Sequence, residues 1–243
     1  MDKLISALCI TYGRPKLLEE AIESFLRQDY ANKEMVIVND LPEQELVFDH
    51  PRIRIFNLKK RVETIGEKRN IAVKLAMGSI VICWDDDDIN LPWRMSQVMN
   101  VFNSDKNIKY FNLKTKWLWR KNNLSFKQSL CVGLPAIDKK TLLYIGGYNS
   151  LIRGEDTDLN KRIAFNLLSQ NIKLIAFSKE ECPIIYRQHT GYYHLSSVSH
   201  KPDAMKIIED SVKSKPISEI VVLNPHWEQD WLQLTKEATC YQK

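Results

Sequence analysis

No run of apolar residues in this chain is longer than the five of Ile80–Trp84, whereas a membrane-spanning helix needs about 20. A transmembrane segment is therefore not expected. Met1-Asp2-Lys3 places an acid where a secretory signal wants basic residues, and Thr11-Tyr12-Gly13-Arg14 interrupts the first apolar stretch, so the expected location is the cytoplasm. Cysteine is sparse and unpatterned: five residues, none in a C-x-x-C spacing. That fits free thiols in a reducing compartment better than a disulfide framework or a structural zinc site. With only eight Gly and nine Pro and no repeat or low-complexity tract, there is no sign of a long linker or a solenoid. Strong charge bias is missing too. Thirty-five Lys and Arg against 30 Asp and Glu leave a net +5, which permits an anionic partner without demanding one.

What is present, over 243 residues, is enough chain for one large domain with a real core. The first third alternates between short apolar runs and amphipathic stretches. Leu4–Ile10 reads as a buried strand, and Pro15 opens a helix at its favoured first turn. Met35–Val38 and Ile53–Phe56 read as strands, Gly66–Met77 as a helix ended by Gly78, and Ile80–Trp84 as a strand buried on both faces. This order predicts a mostly parallel sheet with helices on both sides, and such sheets bind ligands at the carboxyl ends of their strands. Thr11–Arg14, Asn39-Asp40 and Asp85–Asp88 each follow a strand and so converge on one edge. Beyond a helix at Trp93–Phe102 the pattern turns mixed. Tyr110–Trp119 and Leu130–Ile137 read as strands, Asp156–Leu168 as a helix, Lys173–Phe177 and Pro183–Tyr186 as short strands, and Met205–Val212 and Trp227–Thr235 as tail helices.

The densest chemical signal is Asp85-Asp86-Asp87-Asp88, directly after a buried strand. In an extended segment Asp85 and Asp87 face one side and Asp86 and Asp88 the other. Carboxylates held together repel unless a cation or proton intervenes. Their oxygens suit Mg²⁺ or Mn²⁺, which borrow further oxygens from a phosphorylated ligand. The plain alternative is a solvated acidic turn. Gly154-Glu155-Asp156 opens a helix, where acids are favoured for capping alone but where one could also serve as a general base. Among five histidines, His189 and His194 lie in an aromatic-rich segment and either could complete a metal site. Two basic clusters each carry net +6, Arg52–Lys74 and Asp105–Lys127. The second interleaves Tyr110, Phe111, Trp117, Trp119 and Phe126, a pattern used for stacking bases or sugars and also found on a charged strand face.

Seven of these segments, in order, resemble the motifs of family 2 glycosyltransferases of the GT-A fold. They are Ala7–Pro15, Glu23–Tyr30, Glu34–Asp40, Gly66-Glu67-Lys68-Arg69-Asn70, Trp84–Asp88 with Leu91-Pro92, Gly154–Leu159, and Tyr186-Arg187 with the His that follows. The resemblance runs from about Ile5 to Ser197. It implies a Rossmann-like α/β fold with a mixed C-terminal half: a GT-A domain over 1–200, its nucleotide-binding half about 1–104 and its acceptor half about 105–200. The residue pattern, not the resemblance, adds a helical tail over 201–243, expected to pack on the same domain. The resemblance implies that Thr11, Tyr12 and Arg14 line the nucleotide pocket, that Asp40 bonds the base edge as family members do with uracil, and that Arg69 lies near the diphosphate. Asp85 would approach the ribose, and Gly66, Asp86 and Glu155 would border the nucleotide sugar. Asp87 would hold Mn²⁺ or Mg²⁺ with His194, or alternatively His189, and Asp156 would be the base that deprotonates the acceptor.

The implied activity is metal-dependent, inverting transfer of a sugar from a nucleotide-diphospho-sugar, a UDP-sugar by resemblance, to an acceptor hydroxyl. A glycan is the first acceptor, and a modified base in DNA is the alternative. Asn39 stands where the family often has an acid, and Trp84 where it has a smaller apolar residue. Neither Asp105–Gln128 nor the chain from Lys201 onward carries a family motif. Two other readings are a phosphohydrolase with Asp85 as nucleophile, which would want its motif near the first strand, and a nucleic-acid or sugar-binding module without turnover.

Overall fold

The computed structural model describes residues 3–130, 132–188, 203–214 and 217–240. Its centre is a seven-stranded sheet. Strand β1 (Ile5–Thr11) lies between β2 (Lys33–Asn39) and β5 (Ile80–Cys83), both parallel to it, and β4 (Ile53–Asn57) continues parallel beyond β2. On the other side of β5 come β10 (Ala136–Asp138), antiparallel, then β7 (Tyr110–Leu113) and β11 (Ile172–Ile175).

Alternation along the strands explains the two layers of helices. Ile5, Ala7, Cys9, Met35 and Ile37 face one core together with residues of α1 (Pro15–Leu26) and α3 (Arg94–Ser104). Leu8, Val36, Val38 and Val81 face the other, with residues of α2 (Ile65–Leu75), α4 (Lys139–Tyr144) and α5 (Glu155–Asn166). Both faces of β2 are therefore apolar, and it is buried from end to end.

Tyr110–Trp119 is not one strand. It breaks at Lys114, so that β7 stays in the main sheet while β8 (Thr115–Arg120) enters a second sheet. That sheet runs β6 (Ile89–Asn90), β12 (Ile184–Gln188), β8, β9 (Asn123–Gln128). Leu130–Ile137 likewise shrinks to the three residues of β10. Aromatic and apolar residues continue through the break, because both sheets bury them, so composition does not mark the boundary.

The tail has more structure than two helices. Strand β13 (Ile220–Val222) pairs in parallel with β3 (Glu45–Val47) between α6 (Ala204–Lys213) and α7 (Trp231–Cys240). Trp231 is fully buried in the main core, and its indole N–H donates to Glu20 at 3.2 Å. No helix among the described residues is long and apolar enough to cross a membrane.

Candidate functional site

The register of the main sheet brings three loops to one edge. Thr11 on β1 lies opposite Asn39 on β2, and Leu8 lies opposite Cys83 on β5. The chain therefore leaves these strands side by side, at Tyr12–Arg14, Asp40–Leu41 and Trp84–Asp88. Trp84, fully buried, anchors the last of these: its indole N–H donates to the Ala21 carbonyl at 3.1 Å and its ring meets Phe25 edge-on at 6.3 Å. Asn39 shapes the neighbouring loop. Its side chain accepts from Leu41 N–H and donates to the Gln44 carbonyl and to Asn57. An acid could not make those two donations, which gives this departure from the family pattern a structural role.

The four aspartates do not alternate as an extended segment would. Asp86 and Asp87 occupy a turn, a conformation Asp favours, and the turn swings Asp88 back toward Asp85 and Asp87. Carboxylate oxygens of Asp85, Asp87 and Asp88 all lie within 4.8 Å of one another. Asp86 stands apart and is fully engaged. It accepts from Thr11 Oγ1 at 2.6 Å and from Arg14 Nε at 3.1 Å, and Arg14 makes a further ion pair with it. Arg14 also reaches Asp87 at 2.9 Å. From the other side Arg187 on β12 donates its backbone N–H to Asp88 at 2.9 Å and its Nε to the Asp87 carbonyl at 2.6 Å, and it pairs with the buried Glu20.

The donor chemistry of this cluster fits a hard divalent cation. Asp88 Oδ2 is buried without a hydrogen-bond partner among the described residues. Burial, then the charges of Asp87 and Asp85, push the Asp88 carboxyl well above the usual carboxylate range. Three crowded carboxylates, one of them carrying an orphaned oxygen, are what Mg²⁺ or Mn²⁺ would satisfy. The expected fourth ligand, His194 or His189, lies outside the described residues.

Two cavities flank the turn. The smaller, about 110 Å³, is bordered by Thr11, Tyr12, Asp40, Arg61 and Lys68 and by Val212 of α6. Asp40 is buried at its wall, paired with Lys68 and accepting from Val62 N–H at 3.1 Å. Lys68 also donates to the Thr11 carbonyl at 2.5 Å, and the Arg61 guanidinium lies 3.9 Å from the Tyr12 ring centroid. Lys68 and Arg69 are consecutive on α2, about 100° apart around the helix, so they serve different cavities.

Arg69 turns to the larger cleft of about 740 Å³, which Asp85, Asp87, Asp156, Lys116 and Tyr186 also border. There it holds Asp85 at 3.1 Å, the buried Glu155 at 3.0 Å and the Cys83 sulfur at 2.7 Å. Asp156 opens α5 with its carboxylate accepting from Thr157 N–H at 2.7 Å. Gly133 makes room for it: a Cβ there would come within 2.6 Å of Asp156 Oδ2.

The structure thus gathers Arg14, Asp85, Asp86, Asp87, Arg69, Glu155 and Asp156 around one cleft, with Thr11, Tyr12 and Asp40 in the adjoining pocket. Gly66 belongs to neither by contact. A Cβ at that position would lie 1.8 Å from the Asn149 carbonyl oxygen, so it is the close approach of loop 149–151 to α2 that requires glycine there. Sequence reasoning assigned no role to Asp88, Lys68, Arg61, Arg187 or Lys116. The turn-forming habit of consecutive aspartates was a usable signal for Asp88. The others depend on contacts between distant segments.

Comparison with known proteins supplies the family and the fold. The description "Glycosyl transferase family 2" matches residues 6–158. A relative from Escherichia coli (strain K12), the putative colanic acid biosynthesis glycosyl transferase WcaA, is 37% identical over 102 residues. That match covers 39% of this chain and 36% of the relative, so the chain spans about a third of the relative's length. Among solved structures, S. aureus TarS 1–349 in complex with UDP-GlcNAc superposes with a TM-score of 0.62 at 15% identity, over 88% of this chain and 68% of that one. The Pyrobaculum calidifontis mannosyltransferase PcManGT, in complex with GDP-Man and Mn²⁺, gives 0.58 at 15% identity, over 100% of this chain and 71% of the other. At these identities the structural matches establish a shared GT-A fold, and with the family match over most of the central sheet the chain belongs to glycosyl transferase family 2.

Proposed function

We propose that this protein is a metal-dependent, inverting glycosyltransferase that moves a sugar from a nucleotide-diphospho-sugar, a UDP-sugar, to an acceptor hydroxyl of a glycan. The observation that carries the reading is the Asp85, Asp87 and Asp88 cluster with its orphaned oxygen, set at the strand edge between a base-sized pocket and an open cleft. The TarS and PcManGT complexes hold nucleotide sugars, and the latter Mn²⁺, which supports the same assignment here.

In this reading the base enters the pocket of Tyr12, Arg61 and Asp40, with Asp40 accepting from the base edge while Lys68 neutralises it. Asp85 approaches the ribose. Arg69, oriented by Asp85 and Glu155, and Arg14, oriented by Asp86, lie along the diphosphate. Asp87 and Asp88 would hold the cation, with His194 or His189 as a further ligand; when bound, it would stabilise the charge that builds on the leaving diphosphate. Asp156 takes the proton from the acceptor hydroxyl. The acceptor oxygen forms its bond to the anomeric carbon from the face opposite the leaving group, the carbon–phosphate-oxygen bond breaks, and the nucleoside diphosphate departs with the electron pair. One displacement inverts the centre. Free thiols at Cys9, Cys83, Cys182 and Cys240 suit a reducing, cytoplasmic setting.

The test is slow donor hydrolysis. Incubation with a panel of UDP-, GDP- and dTDP-sugars and Mn²⁺ should release nucleoside diphosphate from a preferred donor, UDP-linked, and chelation should stop it. Metal-independent release, or none from any donor, contradicts the proposal.

A further inference from the structure

We propose that Lys116 selects an acceptor bearing an anionic group, a carboxylate or a phosphate, at the mouth of the larger cleft. The inference rests on the glycosyltransferase reading and names its acceptor class. Lys116 sits on β8, where it alternates with Trp117. Trp117 is fully buried in the core, so Lys116 points the other way, into the cleft. Its ammonium lies 4.1 Å from the centroid of the Tyr186 ring, on the adjacent β12, which fixes its direction while leaving its donors free. Among the described residues it has no carboxylate partner and no hydrogen bond.

Four other cations around the aspartate turn behave differently. Arg14, Lys68, Arg69 and Arg187 are each closed onto carboxylates. A half-buried ammonium left without a counter-ion is unfavourable in the free protein. Burial does lower the Lys116 pKa from the ordinary lysine value, and the charge of Asp88 opposes that. An anion arriving with the substrate would remove the penalty. Arg153 and Lys161, which flank Asp156 in sequence, border the same cleft and also lack ion-pair partners among the described residues. Three unpaired cations thus share the cleft with the candidate base.

The anion belongs to the acceptor because the phosphate-facing cations come from the β1–α1 loop and α2, whereas Lys116 comes from the second sheet. Three donors of an ammonium recognise either a carboxylate or a phosphate. The shared chemistry is an anionic substituent on the sugar that receives the transfer.

The experiment is calorimetric binding of methyl glucoside, methyl glucuronide and methyl glucoside 6-phosphate to the full chain saturated with UDP and Mn²⁺, so that the donor phosphate site is filled. At least one anionic probe should bind about tenfold more tightly than the neutral one. The better of the two identifies the source of the anion. Lys116→Gln should bring the ratio to within twofold, Lys116→Arg should keep it, and neither should move UDP affinity by more than twofold. Equal binding of all three probes, a preference that survives Lys116→Gln, or a matching loss of UDP affinity in Lys116→Gln overturns the inference. Donor hydrolysis measured in parallel separates the two failures. If no donor is turned over by the wild type, the glycosyltransferase reading fails. If turnover stands and the anion preference is absent, only the acceptor assignment fails.

Discussion

On the side proposed for the donor, formed by the β1–α1 loop and α2, Arg14, Lys68 and Arg69 are each tied to acids, and they involve Asp86, Asp87, Asp40, Asp85 and Glu155. On the side proposed for the acceptor, Lys116, Arg153 and Lys161 have no such partners among the described residues. The difference shows two ways of presenting charge. Paired groups are held in place by partners that offset part of their desolvation, and need not reorganise when the reaction builds charge. Unpaired groups leave their full field for an incoming substrate. A site that must hold one reactive donor rigidly and discriminate among acceptors has use for both.

If the comparison is right, variants on the two sides should fail in different ways. The largest effect is expected at the cation cluster. Asp87→Asn should lower metal-dependent donor turnover by about a thousandfold or more, measured as nucleoside diphosphate release, and added Mn²⁺ should not restore it. Asp156→Asn should lower transfer to an acceptor by roughly 10²–10⁴-fold. If transfer survives, another group is the base.

Arg14→Met tests the paired side through stability rather than rate. It would leave the buried Asp86 carboxylate without its counter-charge, at a cost of about 3 kcal/mol, or roughly 10 °C in a thermal melt of a chain this size. That deficit depends on pH. Burial already raises the Asp86 pKa above the usual value, with Arg14 opposing it, so losing Arg14 raises it further. A raised folded-state pKa carries a penalty when the group is charged. The deficit should be largest near neutral pH and shrink as pH falls through the raised value, where Asp86 takes up a proton. A deficit that grows on acidification would contradict the account. The smallest effect, about tenfold and confined to anionic acceptor probes, is the one expected at Lys116.

The convergence of Thr11–Arg14, Asn39-Asp40 and Asp85–Asp88 on one sheet edge was legible in the sequence because parallel strands write themselves plainly. Ala7–Ile10, Met35–Val38 and Ile80–Cys83 are continuous apolar runs inside strands that are largely buried on both faces, and the polar loops that follow them converge by topology alone. The acceptor side was harder. The second sheet begins inside a segment that looks uniform, and β6, with two residues, is too short to carry any period. Asp88 was placed on the wrong face because a turn replaced the expected strand geometry. The pairing of Lys68 with Asp40 spans 28 positions, and the contribution of α6 to the smaller cavity comes from a part of the chain that matches no family motif. Such contacts are properties of the folded chain, and no local pattern announces them.

Donor binding and acceptor activation should be separable in this site, and one titration measures that separation. Binding of UDP in the presence of Mn²⁺, with GDP as the comparison, should be compared by calorimetry in the wild type, Asp87→Asn and Asp156→Asn. The account predicts that UDP binds more tightly than GDP, that Asp156→Asn keeps UDP affinity within about twofold, and that Asp87→Asn loses the part of the affinity that Mn²⁺ contributes. Equal loss of affinity in the two variants, or UDP binding indifferent to Mn²⁺ in the wild type, would contradict it.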